Sequence, residues 1–293
     1  MEKVDWYAIG NYRDELHKAS FVLVDSFLVD AVQLAELLSI QPKTAVIDDY
    51  HRRDHKNGVV IDSTIDSESS AYPERHPNVL YLLGSRFCPL QSVFASAGIR
   101  SHAGPIKSVL VTFGGTDIRQ LTLPVLLALQ KCYPTLEKQV VIGSGFPDVP
   151  MLENLKDEHT HIHRQCDAEA MCSLMATSDI AICGGGQTLY EMASQGLPPI
   201  AVCLIDNQLD DIEGFSNISF AKNAGWWDDP SLISNIVAGV DELMMGERRQ
   251  ARAASAQGHL DGCGASRLAT ALSDHFPVQP PLDLTIHGMP SGR

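Results

Sequence analysis

The stretch from Asp179 to Gln208 constrains the fold of this chain more than any other part of it. An apolar run, Ile180 to Cys183, predicts a buried strand, and Gly184, Gly185 and Gly186 predict a tight turn. A helix opens near Thr188, Gly196 and Pro198 stop it, and a second apolar strand runs from Ile200 to Leu204. Strand, helix and strand in so few residues make a βαβ unit of a parallel sheet. Three residues without Cβ let the backbone pass close to a ligand. The free amides and positive end of the following helix attract a phosphate or pyrophosphate. Glu191, about one turn into that helix, can face the same crevice, where a carboxylate accepts hydrogen bonds from ribose hydroxyls. Three glycines alone serve a plain tight connection equally well. Thr188, Glu191 and the Gly196–Pro198 stop tip the balance towards a nucleotide or nucleotide-sugar.

Strand and helix signals alternate along most of the chain, which predicts an α/β fold. In the first half, strands are expected at Phe21 to Val24, Thr44 to Ile47, Val59 to Ile61 and Val79 to Leu83, with helices at Ala31 to Leu38 and Phe87 to Ala97. Gly98 to Lys107 lacks periodicity and reads as a linker. Beyond it, strands are expected at Ser108 to Phe113, Gln139 to Ile142 and His161 to His163, and helices at Leu121 to Lys131 and Ala168 to Thr177. Further helices are expected at Ser216 to Asn223, Leu232 to Met244, Glu247 to Gln257 and Gly264 to His275. The expected division is a Rossmann-like domain over 1–103, a nucleotide-binding Rossmann-like domain over 104–276 and a flexible tail over 277–293.

At 293 residues, 44% hydrophobic and 20% charged, the composition is that of a globular protein. A formal net charge of −14 argues against a nucleic-acid or anionic-membrane surface, both of which need clustered Lys and Arg. No apolar run approaches a membrane span and the start resembles no signal peptide. The seven cysteines lack zinc-site spacing, and their odd number fits a reducing cytoplasm.

Phe113-Gly114-Gly115-Thr116-Asp117 is a second strand-to-glycine turn, at the carboxyl end of its strand, where open α/β sheets bind ligands. Gly114, Gly115, Thr116 and Asp117 are therefore candidate ligand contacts, with helix capping by Asp117 the alternative. Asn207 and Gln208, in Asp206-Asn207-Gln208, directly follow a buried strand, where amides serve no packing purpose, and are further candidates. Asp25, Asp48 and Asp49 all end strands, with Arg53 and His55 close behind; acid–base work competes there with capping and salt-bridging. His159, His161 and His163 alternate along one strand, a pattern that fits a solvated edge better than a metal site. Trp226-Trp227 reads as packing before base stacking.

Together these motifs resemble the PseG-type UDP-sugar hydrolases of pseudaminic acid biosynthesis, relatives of the MurG-type glycosyltransferases. The resemblance runs from about Phe21 to His275 and rests on an ordered series. Val22-Leu23-Val24-Asp25, Val46-Ile47-Asp48-Asp49 and Leu83-Gly84-Ser85-Arg86-Phe87 match the first domain. Phe113 to Asp117, Gly184 to Pro198, Asp206-Asn207-Gln208 and Leu260 to Ala265 match the second. It implies a GT-B-like pair of Rossmann-like domains with an incomplete first one. It also implies hydrolysis of a UDP-linked diacetamido-trideoxy sugar by water attacking the anomeric carbon, without metal or cofactor. Gly185, Gly186, Gln187, Thr188 and Glu191 would then hold UDP, with Asn207 and Gln208 near the sugar or diphosphate and Asn207 the candidate catalytic group. Family members open with a Gly-x-Gly-His loop whose histidine is the proposed base. Here Gly10-Asn11-Tyr12-Arg13 lacks it, His17 lies in a helix-like polar segment, and Phe27 stands where the family has a tyrosine. The implied alternatives are a chain beginning downstream of that loop, a nucleotide-sugar-binding pseudoenzyme, or a GT-B glycosyltransferase.

Overall fold

The structure is a computed structural model that describes residues 13–26, 28–51, 53–70, 72, 76–95 and 104–277. Phe27, Gly10 to Tyr12, the first part of the expected linker and the tail beyond 277 lie outside the described residues. The first half carries α1 (Arg13–Lys18), β1 (Val22–Asp25), α2 (Ala31–Ile40), β2 (Thr44–Ile47), β3 (Gly58–Asp62), α3 (Ser67–Ser70) and β4 (Val79–Leu83). These strands form a parallel sheet in the order β1-β2-β3-β4. The second half begins with β5 (Ser108–Thr112), α4 (Thr122–Cys132), β6 (Glu137–Ile142), α5 (Val149–Leu155), β7 (Thr160–Arg164) and α6 (Ala168–Thr177). It continues with β8 (Ile180–Gly184), α7 (Thr188–Ser194), β9 (Pro199–Cys203), α8 (Leu209–Asn217) and β10 (Lys222–Trp226). The chain then closes through α9 (Leu232–Leu243), α10 (Gly246–Ser255) and α11 (Gly264–His275). Its six strands are parallel in the order β10-β9-β8-β5-β6-β7. The fold is α/β with two Rossmann-like sheets.

Central strands read as unbroken apolar runs because both faces of a parallel sheet are covered. On one face of the second sheet, Val109, Val111, Ile180, Ile182, Ile200 and Val202 pack under α4 and α9; on the other, Leu110, Ala181, Cys183 and Ala201 meet α6, α7 and α8. In the first sheet, Val24 and Val46 pack against Leu16, Leu34 and Leu37 of α1 and α2. The opposite face, Ala45, Val59, Ile61 and Leu82, is covered by Leu268 and Leu272 of α11 and by Phe276 just after it. Helix α11 thus follows the second sheet in sequence and lies on the first.

The halves share one core: Ile65, Cys88, Leu90 and Phe94 belong to the same buried cluster as Tyr190, Ile212 and Phe215. A Cβ on Gly214 would stand 2.1 Å from Ile65 Cγ2, and one on Gly264 would stand 2.0 Å from the Cys88 carbonyl oxygen. Gln195 Nε2 donates to the Phe94 carbonyl at 3.0 Å and Ser85 Oγ to that of His259 at 2.9 Å.

Two expected helices are corrected. Over the described part of Phe87 to Ala97 there are only 3-10 turns, Ser85–Phe87 and Ser92–Ala95, because Pro89 supplies no amide hydrogen to carry a helix through. In place of a helix over Ser216 to Asn223, α8 ends at Asn217 and β10 begins at Lys222. Ser219 at φ +65° reverses the chain, and the amides of Phe220 and Ala221 both donate back to the Phe215 carbonyl.

Candidate functional site

The β8–α7 turn sits at the carboxyl edge of the second sheet, and its glycines serve two purposes. A Cβ on Gly184 would meet Leu204 Cδ1 at 2.7 Å and one on Gly185 would meet Ile212 Cδ1 at 2.5 Å, so both leave room for neighbouring side chains. Gly186 is open, with its nearest neighbour, Gln208 Nε2, 3.6 Å from a Cβ placed there. The Gly185 amide donates to Gln208 Oε1 at 3.1 Å, and the same oxygen accepts from the Leu204 amide at 3.0 Å. Gln208 therefore ties the ends of β8 and β9 together. The amides available to an anion begin at Gly186 and continue through Gln187 and Thr188. Because α7 has only seven residues, those amides matter more than its macrodipole. The helix stops as expected: Gly196 takes φ +62° and the Leu197 amide caps the Met192 carbonyl at 2.9 Å.

Glu191 lies half-buried in the first turn of α7. Burial alone pushes its carboxyl up to about 7, with no hydrogen bond or cation among the described residues to offset it. Its charge reaches Cys88 and Cys172, whose thiols are raised mainly by burial. The carboxyl therefore faces the side where the two halves meet. A desolvated carboxylate with no donor among the described residues is suited to hydroxyl donors from a ligand.

The β5–α4 turn divides in function. Cβ positions on Gly114 and Gly115 meet nothing within 4 Å, whereas a Cβ on Gly143 would strike the Gly115 carbonyl oxygen at 2.3 Å, so the turns after β5 and β6 stack backbone on backbone. Thr116 is exposed beside Gly145. Asp117 is 2% exposed, and its two oxygens accept from the Leu121 and Thr122 amides, each at 2.9 Å. Of the two roles weighed for Asp117, the geometry realises capping.

Asn207 is exposed in a 3-10 turn, Asp206–Gln208, beside the open Gly186. Arg119 is a residue the sequence did not single out. Its Nε donates to the Leu204 carbonyl at 3.0 Å and its guanidinium lies 4.1 Å over the Trp227 ring, which gives that tryptophan its packing role. The only local signal was a cation two residues past Asp117.

The first sheet gathers its own polar edge. Asp48 and His55 are buried and joined at 2.8 Å. The Tyr72 hydroxyl lies 3.2 Å from Asp48 Oδ2 and 3.4 Å from Asp62 Oδ2. Arg53 approaches Asp48 at 3.6 Å and donates to the Val29 carbonyl. Asp62 is raised by burial, its hydrogen bonds from Thr64 opposing. Asp25 is exposed at the end of β1, outside this network. At the far edge of the second sheet, His159 and His161 each hold an oxygen of Glu137 at 2.7 Å, while His163 meets Gln139. No group of three or more His, Cys, Asp or Glu among the described residues is placed to hold a metal. All seven cysteines are free. Surface hollows of about 410 and 320 Å³ lie away from these turns, beside Arg86 and Arg267 and beside Ile106 and Tyr133. No described helix is long and apolar enough to cross a membrane.

No family model matches the chain. It is 25% identical over 209 residues to a Helicobacter pylori protein described as pseudaminic acid cytidylyltransferase and UDP-2,4-diacetamido-2,4,6-trideoxy-beta-L-altropyranose hydrolase, covering 69% of this chain and 37% of that one. It is 26% identical over 121 residues to the Bacillus subtilis spore coat polysaccharide biosynthesis protein SpsG, covering 41% and 36%. The chain spans only about two fifths of the length of the curated relatives it matches. Among solved structures, a UDP-N-acetylglucosamine 2-epimerase from Neisseria meningitidis bound to UDP-GlcNAc aligns over 93% of this chain and 84% of its own, with TM-score 0.60 and 15% identity. MurG from Acinetobacter baumannii aligns over 92% and 77%, with TM-score 0.60 and 15% identity. At that identity the likeness shows the fold: two Rossmann-like domains in the GT-B arrangement.

Proposed function

We propose that this chain binds a UDP-sugar at the carboxyl edge of the second sheet and hydrolyses it to UDP and free sugar in surface-glycan biosynthesis. The observation that carries the nucleotide half is Glu191: a carboxyl pushed up to about 7 by burial, with no partner among the described residues to relieve it, beside the amides of Gly186, Gln187 and Thr188. Two ribose hydroxyls donating to it would supply the hydrogen bonds the protein withholds. The diphosphate would lie along the open amides from Gly186 and over Gly114 and Gly115, with Asn207 reaching the sugar end. Gly185, Gln208 and Asp117 keep these turns in shape and leave the ligand to their neighbours. No metal is needed, because amides and a nearby guanidinium can carry the charge of a departing diphosphate.

The sugar class follows the distant likeness to the Helicobacter pylori protein and the sequence resemblance to PseG-type hydrolases. The domain division proposed is 1–103 and 104–276, with α11 returning to the first sheet. Incubating the chain with UDP-2,4-diacetamido-2,4,6-trideoxy-β-L-altropyranose and following the anomeric proton by NMR tests the reaction. Appearance of free sugar and UDP supports hydrolysis; bound but unchanged substrate makes the chain a nucleotide-sugar binder instead.

A further inference from the structure

We propose that His51 is the proton-transfer residue of this hydrolysis, acting from the carboxyl edge of the first sheet; the inference rests on the UDP-sugar reading above. Backbone strain marks the place. Among the described residues of the first half, His51 at φ +37° and Tyr72 at φ +62° are the non-glycine residues in the left-handed region. A left-handed backbone is strained for a residue with a Cβ and persists only where its surroundings enforce it. These two touch, ring edge to ring face, with centroids 5.8 Å apart.

Their surroundings do enforce it. The Tyr72 hydroxyl is held by the Asp48 carbonyl at 3.1 Å and by carboxylates of Asp48 and Asp62, while its ring leans on Tyr81 at 5.2 Å. Asp48 is in turn fixed by His55 and Arg53. His55 is buried and committed to Asp48, so it is closed to substrate, whereas His51 is exposed at the end of the 3-10 turn Asp49–His51. Asp62, which the Tyr72 hydroxyl also reaches, ends β3, and Ile65 just beyond it packs against Gly214 and Ile212 of α8 in the second half. Beside the imidazole lie the Tyr72 ring and, at the end of β3, Asp62, while Asp48 and Asp49 are its neighbours along the chain.

In the step proposed, the water oxygen bonds to the anomeric carbon as the bond from that carbon to the diphosphate oxygen breaks. The electron pair leaves with UDP, and the proton lost by water passes to an imidazole nitrogen of His51.

The test uses the full chain, the H51Q and H51A variants and the same altropyranose substrate, with melting curves to confirm folding. Expected for H51Q is a fall in kcat of roughly 10²–10⁴-fold and loss of the acidic limb of the pH–rate profile, with UDP affinity within about twofold of the parent. Added imidazole should restore part of the H51A activity. If the parent turns substrate over and H51Q keeps kcat within about threefold, His51 is not the base, while the UDP-sugar reading stands. If the parent binds UDP yet releases no sugar, hydrolysis fails and this role fails with it. If it binds no UDP, the nucleotide-sugar reading itself is wrong.

Discussion

Replacing Glu191 by glutamine should stabilise the ligand-free protein above neutral pH while weakening its hold on UDP. Burial raises the Glu191 carboxyl from 4.5 to about 7. At about 1.4 kcal/mol per pH unit, ionising it in the folded chain costs roughly 3 kcal/mol more than in the unfolded chain. The sign follows from which state holds the proton. The folded carboxyl binds it more tightly, so the stability it contributes is complete below about pH 4.5 and is lost as pH rises through about 7. Glutamine keeps the shape and removes the charge. The E191Q variant should therefore match the parent near pH 4.5 and exceed it by about 2–3 kcal/mol near pH 8. Urea denaturation followed by circular dichroism at both pH values reads the difference directly. The same variant should lose about 1.5–3 kcal/mol of UDP affinity, the scale of hydrogen bonds to a charged group. Uridine, which has no titrating phosphate, should bind the parent more tightly as pH rises through 7. A variant no more stable than the parent near pH 8, or equally stabilised at both pH values, would refute the claim that this carboxyl is desolvated and unpaired.

Gly185→Ala should cost about 1–3 kcal/mol in thermal or urea unfolding, because its Cβ would meet fully buried Ile212 at 2.5 Å; an unchanged midpoint would show that the turn has room. Asp117→Ala should lose about 0.5–2 kcal/mol of stability through the uncapped Leu121 and Thr122 amides, yet leave the UDP dissociation constant unchanged. A large loss of affinity in calorimetry would return Asp117 to the ligand. His55→Ala should destabilise by about 1–3 kcal/mol, since buried Asp48 loses its imidazole partner; a near-neutral effect would mean the network around Tyr72 is not taut.

Why some of this was legible in the sequence and some was not follows from the range of the forces involved. The strands of the second sheet announced themselves because Val109 to Val111, Val140 to Ile142 and Ile180 to Cys183 are buried on both faces. The α7 stop was legible because Gly196 acts within its own helix end. Strand β10 was not: Asn223 and Gly225 interrupt it, its register shifts between those residues, and its neighbour β9 supplies the order that its own sequence lacks. Helix α5 was passed over for a similar reason, since its Asp148 cap and Pro150 signal a start but only Leu152 is buried. The destination of α11 rests on contacts of Leu268 and Leu272 with strands some two hundred residues earlier. At the site, the glycines, Thr188 and Glu191 were readable as a motif. That Gln208 claims the Gly185 amide, and Asp117 the start of α4, depends on which neighbours fold against them. The first-sheet network shows the same limit. Asp48, Arg53 and His55 are close in sequence, but Tyr72 and Asp62 join them only once β2 and β3 pair.

The most direct test is to titrate UDP into the isotopically labelled chain and follow its backbone amides by NMR. Saturable shifts concentrated at Gly186, Gln187, Thr188 and Asn207, with smaller ones at Gly114 and Gly115, are the expected result. No shifts at millimolar UDP, or shifts confined to residues away from the carboxyl edge of the second sheet, would contradict the account.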